Sequence, residues 1–496
     1  MSKKPEGALL PIFAEAEGGD APLFRQIYRR LRDAVLSGAL APGARLPSTR
    51  TLAQELGVSR NTVVAAIEEL AAEGYVEARV GAGTFVASAL PEELLSAGRN
   101  AGRPAAAHPA GPAAPRAVAR GAVPDMLPPV VPFRHGVPAY DVFPFALWRR
   151  LQARRWRTIG AAELHYGPAA GWGPLRRVLA AYLRTARGVR CEPDQVVVLS
   201  STQAAFDMLA RLLLLPGDRF WMEEPGYGGA RKAFARAGGM VVPVPVDAEG
   251  LDVAAGRATA PDARVAYVTP SCQYPLNVTL SLPRRLALLA WAREAGAWIV
   301  EDDYDSEYRY AGRPLAALQG LDVPGAERVI YLGTFSKVLF PGLRLAYAVL
   351  PPELVEPLVV LRRTVDDFSP LPAQMVLHDF LDEGHFAAHL RRTRLLYAER
   401  QDALLDSLGR HLGGVLSAQQ APAGMQTVAR LPERLADARV VEAAAAANIS
   451  TLGLSACHVG PPRHNGLILG YSGFPPARLD QAARLLARVV ERLGPW

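Results

Sequence analysis

Residues 329–344 read Val-Ile-Tyr-Leu-Gly-Thr-Phe-Ser-Lys-Val-Leu-Phe-Pro-Gly-Leu-Arg, and this stretch decides the fold of most of the chain. The apolar, β-branched run Val329 to Leu332 predicts a strand. Directly after it come two hydroxyl residues, Thr334 and Ser336, then a lysine, Lys337, with Arg344 beyond. Lysine is scarce here: of 55 basic residues only Lys3, Lys4, Lys232 and Lys337 are lysines, and the rest are arginines. Arginine serves wherever a positive charge is enough, but it cannot replace a primary amine that must attack a carbonyl. A leftover surface lysine is the plain alternative that composition leaves standing.

Working outward, similar runs at Gln195 to Leu199, Val241 to Val246, Val265 to Thr269 and Trp298 to Glu301 predict further strands. Helical segments at 203–214 and 283–294 supply crossovers, so a mainly parallel α/β sheet is expected. From about residue 385 helices at 385–408, 435–446 and 476–493 alternate with short strands, a smaller α+β subdomain. Glu301-Asp302-Asp303-Tyr304 follows one strand as Lys337 follows another, and the carboxyl ends of such strands are where α/β folds bind ligands. A carboxylate there suits a pyridinium nitrogen, a tyrosine a phenolic oxygen, and hydroxyls a phosphate. Together with an amine nucleophile these are the partners of pyridoxal 5'-phosphate.

Residues 21–86 carry a different pattern. Ile27, Leu31 and Val35 share one helix face, ending near Ser37-Gly38. Pro47-Ser48 opens a second helix with Leu52, Ala53 and Leu56, which Gly57 breaks. Ser59 caps a third helix bearing Val63, Ile67 and Leu70, which ends at Gly74. Tyr75 to Arg79 and Thr84 to Val86 then read as strands around a turn at Gly81-Ala82-Gly83. Three helices and a hairpin describe a winged helix-turn-helix. The first turn of its third helix enters the major groove in such proteins, and here it offers Arg60 for guanine and Asn61 for bases or phosphates. Ser48, Ser59 and Thr62 suit phosphate oxygens, and Gly83 lets the wing backbone approach the minor groove. Between the two units, the Ala/Pro/Gly/Arg-rich stretch 88–130 reads as a linker.

Bulk properties bound these readings. At 496 residues the chain needs more than one core, and 50% hydrophobic content excludes wholesale disorder. No uncharged apolar run approaches the roughly 20 residues of a membrane span, and the first residues do not read as a signal peptide. Three distant cysteines, Cys191, Cys272 and Cys457, argue against disulfides and metal clusters. A soluble, cytoplasmic protein is expected. The net charge of +7 decides little, since 21–86 holds eight arginines against six acids.

Two resemblances follow. SGALAPGARLPSTRTLAQELGVSRNTV and GAGTFVA resemble the GntR family of bacterial transcription regulators, which implies a double-stranded DNA operator read mainly by Arg50 and Arg60, with Arg45, Asn61, Thr62 and Gly83 in support. FRHGVPAYDVFPFALWRR, HYGPAAGWGPLRRVLAAYL, EEPGYGGAR, TPSCQYP, VEDDYDSEYRY and GTFSKVLFPGLRLAY resemble the fold-type I aminotransferase-like domain of MocR-type regulators, a GntR subfamily. The expected organisation is a winged helix-turn-helix at 21–87, the linker at 88–130, and an aminotransferase-like domain at 131–496 whose large subdomain runs to about 384. The resemblance implies that Lys337 forms the Schiff base with the cofactor and that Asp302 pairs with its pyridine nitrogen, with Asp303 as the alternative. It places Tyr304 and Tyr274 near the phenolic oxygen and Tyr227 on the ring. Ser201, Thr202, Gln203, Thr334, Ser336 and Arg344 are assigned to the phosphate. Tyr166 is assigned to the neighbouring subunit's phosphate, which implies a homodimer.

The departures are informative. Ser201 stands where the family commonly has Gly, Cys272 where it has His, and Leu276-Asn277 where it has Thr-Gly. Working aminotransferases usually carry an arginine near Ile468 that grips the substrate carboxylate; here Arg463 and His464 are the nearby cations. Loss of that clamp favours sensing over turnover, or an effector without that carboxylate. The expected function is a regulator whose effector is the cofactor, alone or joined to a small amine or amino acid. Alternatives are an active aminotransferase that also binds DNA, and a regulator whose large domain is only a dimerisation scaffold.

Overall fold

A computed structural model describes residues 22–79, 82–88, 130–310, 315–325 and 327–494. Nearly all of the 88–130 stretch, and the wing-turn residue Gly81, lie outside the described residues. These residues fall into two compact units, one within 1–123 and the other within 124–496.

In the first unit, α1 (Leu23–Leu36), α2 (Thr49–Leu56) and α3 (Arg60–Ala72) precede the hairpin of β1 (Val76–Arg79) and β2 (Gly83–Val86). Local chemistry sets the ends. Ser48 Oγ accepts from the Thr51 N–H at 3.1 Å, Ser59 Oγ accepts from the Thr62 N–H at 3.1 Å, and Gly57 closes α2 at φ +65°. Ile27, Leu31, Leu52, Val63 and Leu70 bury the inward faces together with Val76 and Val86. Residues 43–46 also pair with β2, through the N–H of Leu46 on Thr84 and of Val86 on Ala44. That pairing ties the wing to the segment carrying Arg45.

In the second unit the described residues contain an eight-stranded sheet in the order β3-β10-β9-β8-β7-β4-β5-β6. The strands are β3 (Val196–Leu199), β4 (Arg219–Glu224), β5 (Met240–Asp247), β6 (Gly250–Leu251), β7 (Val265–Val268), β8 (Trp298–Asp303), β9 (Val329–Thr334) and β10 (Ala346–Val349). The run β9-β8-β7-β4-β5 is parallel, while β10 lies antiparallel between β3 and β9. The helices Thr202–Leu213 (α4) and Leu282–Ala295 (α5) match the expected crossovers to within a residue. The sequence pattern does not announce β4 and β10. β4 ends in Glu223-Glu224, which reads as solvated, and β10 is a four-residue Ala/Tyr/Val strand too short for periodicity to declare. Both are central and buried. A second sheet, β11 (Ser417–Ala418), β12 (Gln426–Arg430), β14 (Gly466–Gly470) and β13 (Leu452–Gly453), is packed by His385–Leu412 (α6) and Pro476–Arg492 (α7). No helix of the described residues is long and apolar enough to cross a membrane.

Candidate functional site

The parallel register places the chemistry at one edge. Asp302 pairs with Leu332, so the end of β8 lies beside the end of β9, three residues before Lys337. β3 ends at Leu199 on the same edge and leads through Ser201 into α4. Turns after β4 and β7 bring Tyr227 and Tyr274 to it. Here lies a cavity of about 250 Å³ lined by Ser201, Thr202, Gln203, Tyr227, Tyr274, Asp302, Tyr304, Thr334, Ser336 and Lys337, all of them candidates from the sequence. His135, Gly136, Tyr267, Asp305, Met425 and Gln426 complete the lining.

Strand alternation resolves which aspartate faces inward. Asp302 lines the cavity, where its Oδ2 accepts from the Tyr267 hydroxyl at 2.7 Å, while its buried Oδ1 has no partner among the described residues. Asp303 points to the opposite face, where its Oδ2 accepts from Arg187 Nε at 2.9 Å and from the Tyr331 hydroxyl at 2.5 Å. Burial pushes the Asp302 carboxyl up to about 7, against the pull of the Tyr267 hydrogen bond.

Lys337 Nζ donates to the Gly136 carbonyl at 3.2 Å. Burial lowers the pKa of its ammonium, opposed by Asp305 and Asp302. An amine so shifted keeps more of its nucleophilic, neutral form. Gly136 has φ +67°, which favours glycine, and a Cβ there would lie 2.4 Å from Nζ, so a side chain would push the amine from its present place. Burial, then Lys337, lowers His135 to about 4, so this ring is a neutral wall near pH 7.

The opposite end of the cavity is a helix start. Ser201 Oγ accepts from the Ala204 N–H at 3.1 Å, and the first-turn amides of α4 have no intrahelical partners. Thr334 Oγ1 likewise accepts from the Ser336 N–H at 3.1 Å. Amides, hydroxyls and the dipole of a twelve-residue helix form an anion seat. Asp302's free oxygen, the desolvated Lys337 amine and this seat fit the three functional ends of pyridoxal 5'-phosphate. Arg344, exposed at φ +54°, does not line the cavity. Tyr166 is 77% exposed beside Phe368 and does not line it either. Ile468 is wholly buried, packed with Tyr274, Leu454 and Cys457. Arg463 is exposed, and the His464 ring stacks on His458 with centroids 5.3 Å apart.

In the first unit Arg45, Arg50, Arg60 and Asn61 are exposed. Arg60 Nε approaches Thr49 Oγ1 at 3.5 Å, which joins the starts of α2 and α3. Ser48 and Ser59 spend their hydroxyls on caps and on the hydroxyls of Thr51 and Thr62, both at 2.7 Å. Gly83, at φ +110°, lies under the Arg45 guanidinium, whose Nε a Cβ would meet at 3.1 Å.

Some of these residues carry no sequence signal. Met425 and Gln426 come from the smaller subdomain, and Tyr267 from the middle of an apolar strand. Gly136 and Asp305 do fall inside quoted motifs, but neither motif states what the residue faces.

Residues 23–86 match the bacterial regulatory proteins of the gntR family, and residues 128–483 match aminotransferase class I and II. The chain is 42% identical to the probable rhizopine catabolism regulatory protein MocR of Rhizobium meliloti, over 94% of this chain and 93% of that one. It is 33% identical to the HTH-type pyridoxine biosynthesis transcriptional regulator PdxR of Corynebacterium glutamicum, over 77% and 78% of the two chains. Among solved structures, α-aminoadipate aminotransferase LysN of Thermus thermophilus, complexed with N-(5'-phosphopyridoxyl)-L-leucine, is similar with a TM-score of 0.67. The match has 32% identity and covers 73% of this chain and 92% of that one.

Proposed function

Because the chain belongs to the MocR-type subfamily of GntR transcription regulators, we propose that occupancy of the Lys337 cavity is the signal that its helix-turn-helix domain reads. A GntR DNA-binding domain and an aminotransferase-like domain in one chain make it a transcription regulator. The proposal adds the cofactor, pyridoxal 5'-phosphate, and an effector role for it, alone or with a bound amine.

The observation that carries the reading is the matched set of groups around one cavity. Asp302 would hold the ring nitrogen through its free Oδ1, with Tyr267 fixing the other oxygen. Tyr227 would cover the ring, and Tyr274 and Tyr304 would lie at its phenolic edge. Ser201, Thr202, Gln203, Thr334 and Ser336 would hold the phosphate. Arg344 and Tyr166 are left for a dimeric assembly with a site shared between subunits. When bound, the cofactor supplies an aldehyde carbon that exchanges amines. Lys337, held at the Gly136 carbonyl, would provide the resident amine, and with another amine in its place the charge at Nζ would differ. Regulation arises if the two states differ in operator affinity. On the DNA side, Arg50 and Arg60 would reach base edges and Arg45 the backbone beside the wing.

The test has two parts. Protein saturated with pyridoxal 5'-phosphate should absorb in the visible and gain one cofactor mass after borohydride reduction, and Lys337→Ala should abolish both. Footprinting upstream of the protein's own gene should then change on adding cofactor. Colourless, unadducted wild type overturns the cofactor assignment; an unchanged footprint overturns the effector role.

A further inference from the structure

Beyond the groups suited to the cofactor, the cavity holds a polar pair that nothing in the described chain satisfies. Asp305 is 1% exposed and lines the cavity, yet both of its oxygens are buried without an N–H or O–H donor among the described residues. Gln426, 2% exposed and also in the lining, has a buried side-chain Nε2 with no acceptor among them. Buried polar atoms are nearly always matched, because leaving one unmatched costs roughly 1–3 kcal/mol. Two unmatched groups of opposite character facing one small space mark a ligand contact.

Chemistry explains why Asp305 is poorly matched, with Lys337 acting on it only through charge. Its polar neighbour is the Cys272 thiol, a weak donor. Both groups face Gly424, where a Cβ would lie 3.1 Å from Asp305 Oδ2 and 3.2 Å from Cys272 Sγ. Compared with a histidine, the residue that the family resemblance leads one to expect at this position, Cys272 offers no ring N–H and less bulk. A thiol beside the carboxyl therefore leaves it without a strong donor and leaves more room. Burial keeps the Asp305 carboxyl well above the usual carboxylate range. Ile468, buried with Tyr274, Leu454 and Cys457, offers no charge behind the lining, and among the described residues Lys337 is the only cationic side chain in the lining.

We propose that Asp305 and Gln426 form a subsite for the far end of the effector, and that the effector is a carboxylate-free amine carrying a hydroxyl group. A hydroxyl donates to Asp305 and accepts from Gln426 at once. A second ammonium only donates and leaves Gln426 without an acceptor, and a carboxylate only accepts and leaves an Asp305 oxygen without a donor. The proposal rests on the cofactor reading above and narrows its ligand to a class.

The experiment titrates the cofactor-loaded full chain with four amines of matched length: butylamine, 4-aminobutan-1-ol, butane-1,4-diamine and 4-aminobutanoate. Binding is read by calorimetry and by the visible band. The amino alcohol should bind at least tenfold tighter than butylamine, with 4-aminobutanoate weakest. Asp305→Asn should cut the preference for the alcohol severalfold. Cys272→His, which restores a donor and fills the space, should erase it while leaving the visible band in place. A diamine preference would keep Asp305 as the contact and overturn the hydroxyl assignment. Tightest binding of 4-aminobutanoate, or an alcohol preference that survives both substitutions, overturns the subsite. If the wild type shows no band and no reducible adduct, it is the cofactor reading that fails, and the two failures are thereby distinct.

Discussion

Two helix starts in this molecule are built alike and present opposite faces to their surroundings. Ser59 caps α3 and Ser201 caps α4, each through its Oγ on the N–H three residues on, at 3.1 Å in both cases. Each start has a neighbouring hydroxyl, and its first two amides lie outside the helix's own hydrogen-bond ladder. At α3 the next residues are Arg60 and Asn61, exposed to solvent, whereas at α4 Thr202 and Gln203 line a cavity with Tyr227 and Asp302. The same local device therefore suits a polymer in one place and a small molecule in the other. The exposed start adds guanidinium charge, so binding there would depend on salt and could extend from phosphates to bases. The enclosed start has no arginine in its lining among the described residues, so an anion there would be held by backbone amides and hydroxyls.

The largest test of this contrast lies at the far end of the enclosed site. Gly136→Ala puts a Cβ 2.4 Å from the present position of Lys337 Nζ, which pushes the amine from the Gly136 carbonyl, and asks alanine to hold φ +67°. Reducible cofactor adduct should fall at least tenfold, while operator affinity without cofactor stays at the wild-type value. A variant that still gives full adduct would show that Nζ does not need its place beside the Gly136 carbonyl.

Next in size is Arg60→Ala. If Arg60 reads a base at the exposed start, operator affinity should drop by about 1–3 kcal/mol and lose discrimination at one position, with the visible band untouched. Uniform weakening across sequences, with a shallower salt dependence, would instead assign Arg60 to phosphate.

The two starts also differ in how readily each is read from the residues alone. α3 is legible because its cap, its apolar spacing and its closing glycine all lie within a single short window. The cavity draws on segments far apart in the chain, from His135 to Gln426, and strand ends are the weak point. The β8 run reads as ending at Glu301 but continues to Asp303, and a one-residue uncertainty flips an aspartate between faces. What separates Asp302 from Asp303 is the partners each meets, Tyr267 on one side and Arg187 with Tyr331 on the other. Asp305 lies inside a recognisable motif, but its lack of a donor depends on Cys272, well upstream, and on Gln426, in the other subdomain. Motifs reveal the cofactor end of the cavity because its chemistry is local to strand termini. The opposite wall is assembled by tertiary packing, and no local pattern announces it.

A pH titration comes third. The Asp302 carboxyl is raised from near 4 to about 7 by burial, so the folded cofactor-free protein favours the protonated form more than the unfolded chain does. This stabilisation is complete below about pH 4 and is lost as pH rises toward 7, with a slope of at most about 1.4 kcal/mol per pH unit. Glu223 and Glu301, both also near 7 through burial, act in the same direction. Denaturant unfolding of the cofactor-free protein should therefore show falling stability across about pH 4 to 7, and Asp302→Asn should flatten part of that slope. A cofactor-loaded sample should be flatter than the free protein, since a ring-nitrogen partner favours the charged carboxylate. An identical slope in wild type and variant would mean that Asp302 is not titrating in that window.

The smallest effect separates the two starts most sharply. Alanine at either capping serine removes one hydrogen bond and should cost about 1 kcal/mol of local stability. Glycine, which caps nearly as well as serine, should cost only a few tenths. If Ser59 only caps, Ser59→Ala should lower operator affinity in step with the stability of the winged helix, and Ser59→Gly should restore both. At Ser201 the hydroxyl has a second task if it touches the phosphate. There, both alanine and glycine should narrow the affinity gap between pyridoxal 5'-phosphate and pyridoxal, though only alanine weakens the cap. Measuring that gap in Ser201→Gly isolates the contact from the cap. An unchanged gap would leave the phosphate to the α4 amides with Thr334 and Ser336, and would make the two serines equivalent after all.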